Sequence, residues 1–273
     1  MGDIFTLLLT APLTNGLIVF YRILGGNLGL AIIGFSIFLR FVSQPLQKPY
    51  LANAKKMKDI TPLVNKLKKK YKDDKQGFLK AQADLYKEKG INPGAGCLPY
   101  LLQIIILIAL FRVFTSVLAD HGAVTESINN LLYAPLKFLE GQTLNTKFLY
   151  LDITQPDKFV IQGLPFPLPG PLLLLAALVQ FLSAKISMPM VEKEKQVAEK
   201  TKESSDDFQV AMQSSMIYTF PLMTILVGVG FPSGLALYWF IFSIMQAYTQ
   251  YQMFGWGGLT PWVHKAKAYF ARS

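Results

Sequence analysis

The sequence predicts an all-α membrane protein: five transmembrane helices, an N-terminal amphipathic interfacial helix and a cytoplasmic helical hairpin. Three observations lead there. Apolar and aromatic residues make up 52% of the 273, and mean hydropathy is +0.34, too oily for an ordinary soluble domain. The apolar residues gather in blocks at 27–49, 96–118, 171–190, 212–230 and 231–255, each close to the roughly 20 helical residues that cross about 30 Å of hydrocarbon. Charged residues collect between the blocks. Such a span must satisfy its backbone internally, so each block is read as a helix.

Residues 1–26 precede the first span. From Ala11, the apolar positions Leu13, Leu17, Phe20, Tyr21 and Leu24 form one helical stripe, opposite Thr14 and Arg22. Pro12 and Asn15 interrupt the apolar run, and no basic n-region or clear cleavage site precedes it. The reading is an amphipathic helix lying in the outer interface; the alternative is a sixth crossing.

Segment 50–95 is polar. Met57, Ile60, Leu63 or Val64, Leu67 and Tyr71 repeat every three to four residues, and Phe78, Gln82, Leu85 and Lys89 continue after KDDKQG. Two helical periods around the turn Asp73–Gly77 make an antiparallel hairpin. Pro62 restarts or kinks the first arm, Gly90 ends the second, and Asn92–Pro93–Gly94 turns the chain back to the bilayer. Lys66, Lys68, Lys69, Lys70, Tyr71 and Lys72 are candidate contact residues for lipid head groups, a nascent chain or a targeting partner. The plainer reading is a solvated connector.

Loop charge sets orientation. Segment 50–95 holds twelve Lys against five acids, while 119–170 holds three against five. The tail 256–273 carries Lys265, Lys267 and Arg272 and no acid. The positive-inside rule therefore places 50–95, the mixed loop 191–211 and the C-terminus in the cytoplasm, with 119–170 and the N-terminus outside.

Motifs exclude several classes. The single Cys97 makes no internal disulfide. Neither HExxH nor GxSxG occurs, which argues against an intramembrane metalloprotease or a His-dependent serine protease. No P-loop or GxGxxG is present to drive a pump with nucleotide. No enzyme activity, cofactor or metal is expected. The net charge of +10 is a loop property, so no specific DNA binding is expected either.

Arg40 is the exception to the apolar rule. In FSIFLRFVSQPL it lies eight residues before Lys48, about 12 Å deeper along a helix. Insertion scales put a mid-span Arg at about +2.5 to +3.5 kcal/mol, so water or a polar partner must offset it. Ser36, Arg40, Ser43 or Gln44, and Gln47 form one stripe towards the cytoplasmic end. Matching polar residues occur in the other spans: Gln103; Gln180, Ser183 and Ser187; Tyr218 and Thr219; Trp239, Ser243, Gln246 and Gln250. Each alone is ordinary interhelical hydrogen bonding; together they favour a hydrated groove. No Asp or Glu lies in any span, which counts against a proton-coupled transporter. Arg112 is close enough to the outer end to snorkel.

Three stretches carry a family resemblance. LRFVSQPL, LKKKYKDDKQGFLKAQADLYKEKGINPGAGCLPYLLQ and FPSGLALYWFIFSIMQAYTQ resemble, in order and spacing, parts of the YidC membrane protein insertase family, related to the mitochondrial oxidase-assembly and chloroplast Albino insertases. The resemblance runs over roughly 12–255 and suggests a short bacterial-type member. It implies five helices around a hydrophilic groove open to the cytoplasm and to lipid but sealed outside. The family's groove Arg maps to Arg40. Gram-negative members carry an extra N-terminal span and a large periplasmic domain, for which 273 residues leave no room. No lipobox Cys occurs, and the tail is short and mildly basic beside the long ribosome-binding tails of some relatives. Segment 119–170 is longer than expected for a minimal member, and its PLKFLE and FPLPGP pieces suggest ordered structure.

The expected function is insertion and folding of nascent membrane proteins in the bacterial plasma membrane, without ATP. Nascent membrane protein chains and the lipid bilayer are the expected partners, with the Sec translocon, ribosome and signal-recognition components as further candidates. A small-solute transporter or channel would show an inverted repeat or a buried acid, and neither is found. A passive folding scaffold remains the second alternative.

Overall fold

The computed structural model describes residues 4–72, 74–91, 104–113, 126–139, 141–186 and 204–271. It divides into two units. The first comprises Met1–Val42, Leu102–Phe181 and Phe220–Gln246, and the second Ser43–Leu101, Leu182–Thr219 and Ala247–Ser273. A π-helical turn, Thr6–Thr10, leads into α1 (Ala11–Ile23), followed by α2 (Leu28–Lys70) and α3 (Lys75–Glu88). Then come α4 (Ile104–Val113) and α5 (Glu126–Leu131). Four two-residue strands follow, β1 (Lys147–Phe148), β2 (Leu151–Asp152), β3 (Lys158–Phe159) and β4 (Leu168–Pro169). The chain continues through α6 (Pro171–Ile186), α7 (Ser204–Gly228), α8 (Ser233–Phe254) and α9 (Thr260–Phe270). β1 pairs antiparallel with β2 and β3 with β4.

Among the described helices, Thr6–Ile23 and Leu28–Pro45 are long and apolar enough to cross a membrane. Ile104–Val113, Pro171–Ile186 and Ile217–Gly228 are shorter apolar helices. The expected span at 96–118 is described only over α4, and Gln103 and Ser187 lie outside the described residues. α7 is described from Ser204, inside the segment expected as the 191–211 loop.

In the first unit, one apolar cluster joins Leu17, Ile32, Phe35, Leu110, Leu173 and Leu235. α1 and α2 meet closely where a Cβ on Gly16 would fall 2.6 Å from the Phe35 ring. The expected stripe of α1 does turn inward, but Thr14 is not opposite it. Thr14 is buried, and its hydroxyl donates to the Thr10 carbonyl one turn back at 2.7 Å, so it needs no water. Asn15 is only 3% exposed. Its amide donates to the Leu131 carbonyl at 2.8 Å, and its Oδ1 accepts from the Tyr133 amide at 2.7 Å. A second apolar cluster, Ile18, Ile128, Leu132 and Leu144, packs around this junction.

In the second unit, α2 continues to Lys70. Pro62, expected to restart or kink the first hairpin arm, does not end the helix, although proline removes one backbone donor. Asp74 caps α3, its Oδ1 accepting from the Gly77 amide at 2.9 Å. Gly90, at φ 59°, ends the arm in the left-handed conformation that suits glycine. The Ile91 amide donates back to Tyr86 at 2.8 Å, and Lys56 Nζ reaches the Gly90 carbonyl at 3.4 Å. Ile60, Phe78 and Ile91 are buried. Lys66, Lys69, Lys70 and Lys72 are exposed, Lys68 and Tyr71 half-buried, and Lys70 Nζ stands 5.4 Å from the Tyr71 ring centroid.

Candidate functional site

Arg40 sits on α2 with 8% of its surface exposed. Its Cζ lies 5.5 Å from the Phe242 ring centroid on α8, a cation–π distance. Phe242 stacks in turn on Tyr238, centroids 6.2 Å apart and planes 30° off parallel. That i, i+4 pair shares one face of α8. One turn before Arg40, Ser36 is buried and donates to the Ile32 carbonyl. Ser36 and Tyr238 line a small cavity with Leu17, Ile32, Phe35 and Leu110. A guanidinium stays charged under all ordinary conditions. Held among aromatic and aliphatic groups, it attracts an anion far more strongly than it would in water.

The remaining predicted residues fall into separate groups. In the first unit, Thr224 Oγ1 on α7 donates to Gln180 Oε1 on α6 at 2.8 Å. Ser243 is buried, while Trp239 and Gln246 are half-buried. In the second unit, Ser183 Oγ donates to Gln250 Oε1 at 2.8 Å, Ser43 is half-buried, and Gln44, Tyr218 and Thr219 are exposed. Gln180 and Ser183 thus spend hydrogen-bonding capacity on neighbouring helices, the modest interhelical pairing common in bundles. Sequence reasoning missed Thr224, Tyr238 and Phe242. Thr224 is the one polar side chain in PLMTILVG, a usable signal. The aromatic pair carries no mark of facing a cation until α8 is placed against α2.

Residues 19–255 match the 60Kd inner membrane protein family. This chain belongs to that family. Its similar relatives are proteins named membrane protein insertase YidC. The one from Pelobacter propionicus is 33% identical over 86% of this chain and 36% of its own length. The one from Chlorobium luteolum is 31% identical over 82% of this chain and 32% of its own length. For Fusobacterium nucleatum the figures are 30% identity, 83% of this chain and 85% of the relative. The chain thus spans about a third of the first two relatives and most of the third.

In this member of the 60Kd inner membrane protein family, the segment before α6 organises the helix starts of the first unit. The first amides of a helix lack intrahelical acceptors. The Leu28 amide donates to the Asn145 carbonyl at 3.0 Å, and Asn27 caps α2 by accepting from Leu30 at 3.1 Å. At α8, the Ser233 and Gly234 amides donate to the Gln155 and Ile153 carbonyls at 2.7 and 3.0 Å. At α6, the Leu173 amide donates to Asp157 Oδ2 at 3.0 Å and the Leu172 amide to the Tyr150 hydroxyl at 2.9 Å. Three helices are therefore fixed at one set of ends by a single stretch, 145–157. Burial, then its Asp157 neighbour, pushes the Tyr150 phenol above its ordinary pKa. At Asp152 burial acts upward, but hydrogen bonds from Thr154 and Thr146 and the charge of Lys147 outweigh it and hold the carboxyl below its ordinary value.

Proposed function

We propose that this chain is a membrane protein insertase that also assists folding, and that Arg40 captures polar or acidic segments of a nascent chain in a groove hydrated from the cytoplasm. Family membership supports the activity. The single observation that carries the residue assignment is Arg40 itself, 8% exposed among Phe242, Tyr238 and Ser36, in a helix apolar enough to span. Keeping a charge there costs several kcal/mol unless polar partners, water or a passing anion offset it. The substrate's own apolar helix drives the reaction, at about 25 cal/mol per Å² removed from water. Five spans, an N-terminal helix in the outer interface, and a cytoplasmic hairpin, loop and tail complete the reading, with nascent chains as substrates and the Sec translocon, ribosome and signal-recognition components as candidate partners.

The test is reconstitution of purified protein in liposomes with a short single-span substrate carrying an acidic translocated tail. Arg40→Ala should slow insertion roughly tenfold or more, the equivalent of one charge-assisted hydrogen bond of about 1.5–3 kcal/mol. A wild-type rate at equal protein level ends the capture reading. Thiol labelling of single cysteines at positions 36, 40 and 44, with Cys97 replaced, reads groove hydration; labelling by membrane-impermeant reagent from the cytoplasmic side is the expected result.

A further inference from the structure

The chain continues past α8. After α8, Gly255 (φ 61°) and Gly257 (φ 49°) redirect the backbone, a turn that left-handed glycines make at little steric cost. A Cβ on Gly257 would overlap the Ile186 carbonyl, so this turn lies directly against the last described turn of α6. α9 then starts beside the same place. Lys185 Nζ stands 3.9 Å from the Trp262 ring centroid. The origin of α9 is therefore pinned beside the end of α8 and the last described turn of α6.

The sequence of α9, TPWVHKAKAYF, sorts cleanly on a helical wheel of 100° per residue. Trp262, Val263, Ala266, Tyr269 and Phe270 occupy one arc of about 120°, with Lys265 and Lys267 at its two margins and His264 and Ala268 opposite. All of α9 is exposed except Thr260 and Val263, which are half-buried, and on the apolar arc Trp262 is 50% exposed, Tyr269 74% and Phe270 76%. Trp256, just before it, is 46% exposed and packs edge-on to Tyr251 at 4.9 Å. Nothing acidic follows Asp207 in the chain. Lysines flanking an apolar arc can lay their stems on it while the ammonium groups reach outward, and Trp and Tyr favour the head-group level.

We infer that α9 is a membrane-surface helix: its Trp262–Ala266–Phe270 face lies in the head-group region of the adjoining leaflet, and Lys265 and Lys267 bind anionic lipid head groups. A lipid surface fits better than a ribosomal RNA partner, because a nucleic acid would be met by basic side chains alone, whereas here an aromatic arc is exposed between the lysines, shortly after α8. The role goes beyond insertion: α9 would anchor the end of the last span in a lipid-dependent way, whatever Arg40 does.

The two alanines of α9 give an internal control, since Ala266 lies on the apolar arc and Ala268 opposite. In full-length protein with Cys97→Ser, spin labels at Ala266→Cys and Ala268→Cys are compared in nanodiscs containing anionic phosphatidylglycerol. Label 266 should favour collision with oxygen and label 268 with a water-soluble nickel chelate. In zwitterionic nanodiscs, or with Lys265→Glu and Lys267→Glu together, label 266 should move towards water. Equal accessibility of the two labels overturns the proposal, as does protection of label 266 that arises only on adding ribosomes, which would assign the helix to that partner. Insensitivity of label 266 to lipid charge and to both Glu substitutions overturns the head-group contact. Arg40→Ala should leave both labels unchanged, so failure here is separable from failure of the capture reading.

Discussion

Asp157 Oδ2 accepts the amide hydrogen of Leu173 at 3.0 Å, sixteen residues along the chain, and so caps α6 from a distance. Tyr150 O–H lies 3.3 Å from both carboxylate oxygens, and Asp157 is 4% exposed. Because a helix start carries partial positive charge, a carboxylate there is favourable. Asp157→Ala is expected to lower stability by about 1–2 kcal/mol, read as a lower unfolding midpoint in detergent micelles. Gly170→Ala should cost about 1–3 kcal/mol, since its Cβ would overlap the Asp157 carboxylate. The pair should be less than additive, because both act on one contact.

Asn15 bridges α1 to the residues after α5. Asn15→Ala leaves the Tyr133 amide and the Leu131 carbonyl without the partners they have now, a loss of about 2–3 kcal/mol. Faster proteolysis within 126–139 is the expected readout; an unchanged cleavage rate would show that the Ile18–Ile128–Leu132 cluster alone holds the junction.

At the candidate site, Arg40→Lys tests charge against shape. Lys keeps the charge but loses the planar fork that stacks on a ring. Phe242→Leu removes the ring at 5.5 Å, worth about 0.5–2 kcal/mol. If capture depends on charge, Arg40→Lys should retain most insertion of acidic-tailed substrates, and Phe242→Leu should reduce it about two- to thirtyfold at most, by the same cation–π range.

Two groups in 145–157 make stability depend on pH in opposite directions. The Asp152 carboxyl is held low, so its contribution is complete above the ordinary aspartate value of about 3.9 and is lost as pH falls through the folded value. The Tyr150 phenol is held high, so its contribution is complete below the ordinary tyrosine value of about 10 and is lost as pH rises through the folded value. Unfolding midpoints measured across pH should fall at both ends. Asp152→Asn should flatten only the acid limb, and Tyr150→Phe only the alkaline one.

For the hairpin, deletion of 53–89 should impair insertion in the liposome assay while the first unit keeps its unfolding midpoint. Wild-type insertion by the deletion protein would reduce α3 and its lysines to a connector. Asp74→Ala should loosen α3 by about 1 kcal/mol, detectable as faster amide exchange at Gly77 and Phe78.

Much of the helical content was legible in the chain because apolar run length and a 3.6-residue period are local properties. α6 is helical over Pro171–Ile186 and α8 over Ser233–Phe254, inside blocks that apolar run length marked as helices, and Gly90 follows the end of α3 as read, while α3 starts at Lys75, inside the expected turn Asp73–Gly77. Local reasoning failed where a distant group changed the cost of a residue. Thr14 and Asn15 read as polar interruptions of α1, yet both are buried, one satisfied by its own helix and one by residues more than a hundred positions away. Pro62 read as a restart or a kink of the first arm; α2 runs on past it without a restart.

By itself, the sequence determined that this is a helical membrane protein, that one arginine lies in an apolar run where a charge is expensive, and, through three motifs, its family. Those depend on composition, period and spacing. Only the tertiary structure decided that Arg40 meets the face of Phe242, that Gln180 answers Thr224, and that one stretch, 145–157, caps the starts of α2, α6 and α8. Cation–π contacts, interhelical hydrogen bonds and remote caps are short-range and directional, so they exist only once chain segments far apart in sequence have been brought within a few ångströms of each other.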